Sequence, residues 1–89
     1  MMIWDENKRL SNLKKHGIDF LDCSDLWENL TVTYEDTKYQ YSESRFITLG
    51  IVLNGVTVVI HTETIDGDVR LISARKATRY ERKYYYSKI

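Results

Sequence analysis

Between Arg45 and Ala74 the chain alternates apolar and polar residues in three runs, "RFITLGIVL", "VTVVIHTET" and "VRLISA", separated by Asn54-Gly55 and Asp66-Gly67. Asn-Gly and Asp-Gly accept the left-handed backbone of a two-residue type I′ turn, so each pair predicts a β-hairpin. The alternating "LTVTYED" adds a strand upstream. Short connections make the four strands an antiparallel meander.

Helical signals flank this sheet. Asp5 can cap a first helix running to about His16, with Leu10 and Leu13 on its apolar side and Gly17 closing it. Asp19 can cap a second, "FLDCSDLWEN", in which Phe20, Cys23, Leu26 and Trp27 form one stripe and Ile18 staples onto Cys23. Thr78-x-x-Glu81 is a capping box that opens a terminal helix. The expectation is an α+β fold: two N-terminal helices, a four-stranded antiparallel sheet and a C-terminal helix. With 89 residues, no proline and no repeat or linker, residues 1–89 are expected to form a single domain with one modest core.

Several classes are disfavoured. No apolar run approaches the roughly 18 residues of a membrane span, and "MMIWDENKRL" turns polar too early for a signal peptide. A cytoplasmic location without a membrane partner is expected. Cys23 is alone, which leaves no disulfide framework and no cysteine-based zinc site, and a buried thiol is its expected state. No metal or other cofactor is called for.

The formal charge of zero hides a polarised layout. Residues 19–45 carry Asp19, Asp22, Asp25, Glu28, Glu35, Asp36 and Glu43 against Lys38 and Arg45, a net −5. Residues 70–89 carry Arg70, Arg75, Lys76, Arg79, Arg82, Lys83 and Lys88 against Glu81, a net +6. One end is suited to a polyanion and the other to a basic partner or to solvent. Net neutrality argues against strong non-specific DNA binding.

Two-residue turns would set the strand register. Leu53 then faces Val56, His61 lies opposite Thr48, and Glu63 opposite Phe46. At the second turn Ile65 faces Asp68, Glu63 lies opposite Arg70, and His61 opposite Ile72. One face carries Ile47, Leu49, Ile51, Val56, Val58, Ile60 and Leu71 and is expected to be the core side, under the helices. The other carries Phe46, Thr48, Val59, His61, Glu63, Arg70 and Ile72. His61, Glu63 and Arg70 read either as a proton-transfer site whose arginine holds a phosphate, or as a cross-strand ion pair beside a half-buried histidine. A one-residue change in either turn would separate them.

Beyond the last strand come Arg75 and Lys76, then Arg79, Arg82 and Lys83 on the terminal helix. Positions 75, 79, 82 and 83 can share one face, either gripping phosphates or facing water. Tyr80, Tyr84 and Tyr85 can pack inward or stack on unpaired bases. A strand precedes this helix, which argues against a helix-turn-helix. Lys8, Asn12 and Lys15 form a polar stripe at i, i+4 and i+7, open to RNA, to a partner or to solvent. His16, beside Gly17, suits the last carbonyls of the first helix.

Three stretches together resemble the BrnT toxins of bacterial type II toxin–antitoxin systems, over nearly the whole chain. In "WDENKRLSNLKKHGIDF" the matching residues are Trp4, Asp5, Lys8, Asn12, Lys15, His16, Gly17 and Phe20. Glu43, Arg45, Phe46 and Gly50 carry the middle signature. In "RLISARKATRYER" it is Ile72, Ser73, Ala74, Arg75, Ala77, Thr78 and Glu81. One departure is Thr64 after Thr62-Glu63, where the family commonly has arginine, so any role of that arginine falls to Arg70 or Arg75.

The resemblance implies a RelE-like fold and an endoribonuclease that halts translation. It also implies a cognate BrnA-like antitoxin with a ribbon-helix-helix part, forming a hetero-oligomer that meets operator DNA through the antitoxin. Metal-free RNA cleavage needs a base for the 2′-hydroxyl, a cation for the phosphorane and an acid for the 5′-oxygen. On that reading Glu63 or His61 is the base, Arg70 and Arg75 supply charge, and His61 or Lys76 is the acid. Arg79, Arg82, Lys83 and Lys15 would hold the RNA backbone. Rival functions are a catalytically inactive RNA-binding module of the same fold, and an interaction protein whose acidic stretch docks a basic partner.

Overall fold

The computed structural model describes residues 1–38 and 43–89, so Tyr39 to Ser42, inside the acidic stretch, lie outside the described residues. The elements are β1 (Met2–Ile3), α1 (Glu6–His16), β2 (Val32–Glu35), β3 (Phe46–Val52), β4 (Gly55–Glu63), β5 (Val69–Lys76) and α2 (Arg79–Lys88). Two 3₁₀ turns, Phe20–Cys23 and Leu26–Glu28, lie between α1 and β2. The five strands form one sheet in the order β1-β5-β4-β3-β2. The architecture is α+β, as expected, with corrections in detail.

The sheet is mixed, not a four-stranded antiparallel one: β1 adds a short parallel edge, pairing Met2 with Val69 and Ile3 with Arg70. Two residues before a helix cap give no readable alternation, so β1 left no pattern in the sequence. "FLDCSDLWEN" does not make a helix. Ser24 and Asp25, whose side chains favour turns over helix interiors, divide it into the two 3₁₀ turns. Phe20, Cys23 and Leu26 are nevertheless fully buried, as their stripe required.

In α1 the expected apolar side is also corrected. Leu10 and Leu13 are exposed, and the buried residue is Asn12. Its amide nitrogen donates to the carbonyls of Ile18 and Ala74, both at 2.9 Å, and its oxygen accepts from the Ala74 amide at 3.1 Å. One side chain thus hydrogen-bonds the outer edge of β5 like a fragment of strand, beyond the reach of β1. Arg9 adds an ion pair to Asp19 at 2.8 Å, tying α1 to the first 3₁₀ turn.

The first hairpin pairs Val52 with Gly55, so Leu53 and Asn54 form the loop and Leu53 takes φ 56°. Each arm slips by one residue relative to an Asn54-Gly55 loop. Partners change, with His61 opposite Phe46, but the side-chain period of two keeps every residue on its expected face. The second hairpin differs in kind. Thr64 accepts from Gly67 and donates to Asp68 through the backbone, enclosing the three residues Ile65, Asp66 and Gly67. Gly67 sits at φ 84°, the left-handed residue that a three-residue loop requires. Beside this loop Glu63 pairs with Val69, Thr62 with Arg70 and His61 with Leu71. Further along, a β-bulge at Ile72 restores the expected register, from Ile60 with Ser73 to Thr57 with Lys76.

Both sheet faces are covered in part. Leu71, expected among Leu49 and Val58, instead joins Val52, Val59 and Ala74 beneath Ile18, Phe20, Cys23 and Leu26. The face expected to be open is therefore the one sealed by the N-terminal segment. Gly50 makes that possible: a Cβ there would stand 2.5 Å from Leu26 Cδ1. The opposite face packs Leu49, Val56 and Val58 against Ala77 and, from α2, Tyr85. Tyr85 donates its hydroxyl to the Leu30 carbonyl at 2.9 Å. Cys23 is buried, and burial pushes its thiol up to about 11.

Candidate functional site

His61 is part of the sealed core. It is 2% exposed, held edge-on by Trp27 at 5.1 Å between ring centroids and stacked by Phe46 at 5.9 Å. Its Nε2 meets Thr48 Oγ1 at 2.7 Å, and Thr48 Oγ1 in turn meets Thr33 Oγ1 at 2.7 Å. Burial pushes its pKa below the usual value, against the pull of the Glu63 carboxylate. The imidazole is thus neutral near pH 7. The His61–Glu63–Arg70 triplet is not brought together. The three-residue loop moves Arg70 opposite Thr62, on the other side of the sheet from His61 and Glu63.

That same shift places Arg70 with Arg75. Five residues apart on a regular strand, they would point to opposite faces. The bulge at Ile72 absorbs one residue, so Arg70 (opposite Thr62) and Arg75 (opposite Val58) share the face that also carries Tyr34, Ile47, Ile60 and Ser73. At one end Arg70 Nη2 donates to Glu43 Oε1 at 2.6 Å, the carboxylate coming from the segment that precedes β3. At the other, Arg75 donates from both Nη atoms to both Glu81 oxygens, each at 2.8 Å. Arg75, with its Nε–H left over, keeps donor capacity for an anion.

Glu81 is fixed twice. Its carboxylate also accepts from the Thr78 amide at 2.8 Å, and the Thr78 hydroxyl accepts from the Glu81 amide, completing the expected capping box. The Arg75 hydrogen bonds, with those of Thr78, hold its carboxyl down at about 2. Tyr34 crosses Tyr84 edge to face, with centroids 6.0 Å apart. Burial pushes the Tyr34 hydroxyl up, with the charge of Glu81 adding to it.

The remaining cations diverge. Lys76 lies opposite Thr57 on the His61 side of the sheet, and six strand positions, roughly 20 Å, separate its level from that of Glu63. Lys76 and Arg82 border one cavity of about 540 Å³ beside the first hairpin loop, where Arg82 donates to the Ala77 carbonyl. Lys83 turns the other way. It joins Tyr34, Leu49, Tyr80, Glu81 and Tyr84 around a cavity of about 550 Å³ between α2 and the sheet. Arg79 is exposed at the start of α2. Lys15 lines a groove of about 340 Å³ with Lys8, Ser11, Asn12 and, from β5, Ser73. The one-face arrangement expected for 75, 79, 82 and 83 is therefore split between two sides of α2.

Tyr34 and Glu81 were not among the expected site residues. Tyr34 shares the arginine face with Val32, which its register against Ile47 reveals. Glu81 was legible as a cap, but its second partner, Arg75, comes from the preceding strand. No helix among the described residues is long and apolar enough to cross a membrane.

Comparison with known proteins bears on the fold and the family. A solved structure, the Brucella abortus ribonuclease toxin BrnT, superposes with a TM-score of 0.70 at 28% sequence identity, covering 89% of this chain and 99% of that one. No protein with a curated description matches the chain. The family described as "Ribonuclease toxin, BrnT, of type II toxin-antitoxin system" matches residues 4–81, which take in α1, β2 to β5 and the start of α2. The chain therefore belongs to the BrnT family of ribonuclease toxins of type II toxin–antitoxin systems.

Proposed function

We propose that this chain is a single-domain, RelE-like endoribonuclease toxin that cleaves RNA on the Arg70–Arg75 face without a metal. By cutting RNA in the cytoplasm it inhibits translation and arrests growth. A BrnA-like antitoxin with a ribbon-helix-helix part restrains it in a hetero-oligomer and connects it to operator DNA. The observation that carries the reading is the pairing of Arg70 and Arg75 on one sheet face by the bulge at Ile72, in a chain of a ribonuclease-toxin family.

In this reading Arg75 and Arg70 hold the scissile phosphate and stabilise the charge of the phosphorane. Glu81 fixes the fork of Arg75. Glu63, His61 and Lys76, the candidate base and acids, lie on the other face of the sheet, so water takes up and returns the protons at the phosphate that Arg70 and Arg75 hold. Lys15, Arg79, Arg82 and Lys83 track the RNA backbone.

The test is cleavage of a single-stranded RNA in a chelating buffer by the wild type and by Arg75→Ala, Arg70→Ala, His61→Gln, Glu63→Gln and Lys76→Ala. Removing either arginine is expected to slow cleavage about a hundredfold. Near-wild-type rates from both arginine variants would sink the assignment. One observation favours a second reading, an RNA-binding module that does not cut: each arginine already carries a glutamate partner, and the one strand histidine is sealed. Inducible expression with and without the neighbouring reading frame separates the two, because only the toxin arrests growth.

A further inference from the structure

The tyrosines around the cavity between α2 and the sheet have no part in the roles given above. Its walls are three tyrosines from two elements. Tyr80 and Tyr84 stand one helical turn apart on α2, and Tyr34 approaches from β2. Leu49 forms its floor, and Lys83 and Glu81 stand at its rim. Glu81 is also the bidentate partner of Arg75, so the cavity begins where the phosphate-binding face ends.

Core packing does not explain these rings. Tyr85 supplies the inward aromatic of α2, buried and anchored to Leu30. Tyr80 is 86% exposed, a large ring left in water with no packing role. Tyr34 and Tyr84 meet at an interplanar angle of 80°, offering the cavity ring surfaces in two orientations. Flat, mostly apolar walls beside Lys83 and the fixed Arg75 suit a ligand with a flat π-face and a nearby negative charge. A nucleotide of single-stranded RNA has both.

We infer that this cavity is a base-stacking subsite, which takes an unpaired nucleobase of the RNA whose phosphate Arg75 holds. The inference rests on the ribonuclease reading for the identity of the strand, and it adds where a base adjoining the cut is gripped. Tyr80 closes on the base from α2, Tyr34 and Tyr84 form the inner wall, and Lys83 meets the neighbouring phosphate.

The full-length chain is tested with a fluorescent, uncleavable 2′-O-methyl RNA oligonucleotide, read by anisotropy, alongside cleavage of the matching unmodified RNA. Tyr80→Ala alters a solvent-exposed ring and is expected to leave the melting temperature unchanged while weakening binding about tenfold. Tyr80→Trp should restore affinity. Tyr86→Ala is the control, an exposed tyrosine on the same helix outside the cavity, and is expected to change affinity less than twofold. On an abasic oligonucleotide of the same length, wild type and Tyr80→Ala should bind alike.

Equal binding by wild type and Tyr80→Ala on the base-containing strand overturns the inference. So does an equal loss in Tyr86→Ala, or a loss that persists undiminished on the abasic strand. If Tyr80→Ala instead weakens only the complex with the antitoxin encoded beside this chain, the cavity is a protein-docking site and the inference is overturned in that direction. A wild type that binds the oligonucleotide through Tyr80 but cuts no RNA refutes the ribonuclease reading and leaves the stacking subsite standing.

Discussion

Arg75 and Glu81 face each other as a two-pronged pair, with both N–H···O contacts at 2.8 Å, joining the last strand to the helix that follows it. Because Glu81 also caps α2 through Thr78, one carboxylate fixes the helix start and the arginine together. Its folded pKa of about 2 lies below its usual value of 4.5, so its contribution to stability is complete above about pH 5. That contribution is lost as pH falls from about 4.5 toward 2. Glu81→Gln is expected to cost about 1–2 kcal/mol at neutral pH and to flatten this acid dependence. Thermal melts between pH 2 and 7 read both effects, and unchanged melting with an unchanged acid slope would refute the role.

His61 has the opposite chemistry and a different window. Its folded pKa is depressed by burial, so the unfolded chain takes up its proton first as pH falls through about 6.5. Stability should decline from neutral pH downward, before the Glu81 window opens. Replacing His61 by Phe, another ring for the Trp27–Phe46 slot, should remove that part of the slope. An acid profile identical to wild type between pH 7 and 5 would show that His61 is not the group responsible.

Asn12 is expected to be the costliest residue on α1 to lose. Asn12→Ala leaves the Ala74 amide, the Ala74 carbonyl and the Ile18 carbonyl without their side-chain partner in a buried seam. A loss of about 2–3 kcal/mol is expected in urea denaturation, against less than about 0.5 kcal/mol for Lys8→Ala or Lys15→Ala. Equal, small effects from all three would return Asn12 to the solvent-facing stripe.

Leu53 holds a left-handed backbone at φ 56° while its side chain is 75% exposed. An L-residue there costs about 1–2 kcal/mol, part of which a glycine would recover against its greater freedom in the unfolded chain. Leu53→Gly should therefore stabilise the protein by roughly 0.5 kcal/mol. A decrease in stability would mean that the side chain packs in solution.

Much of this fold could be read from residue order. The capping box at Thr78, the cap at Asp5, the buried stripe of Phe20, Cys23 and Leu26, and the faces of β3 and β4 follow from local chemistry and period. The site was read less well, for a specific reason. Asp66-Gly67 serves a two-residue type I′ loop and the end of a three-residue loop equally well, and only the latter occurs. One residue of difference at that loop moved Arg70 away from His61, and a bulge with no sequence mark then compensated beyond it. The burial of His61 was equally hidden, because it depends on Trp27 arriving from a distant 3₁₀ turn.

The bulge at Ile72 makes the reach of this site a matter of parity. Arg70 and Arg75 act on one side only because an odd separation in sequence is counted as even in space. Deleting Ile72 would keep every charge, every tyrosine and the chain's composition save one isoleucine. The two arginines would then stand four apart, and a regular strand would keep both on the Tyr34 face without a bulge. A relative that kept this spacing but paired the strand without the bulge would be a different surface under a nearly identical sequence.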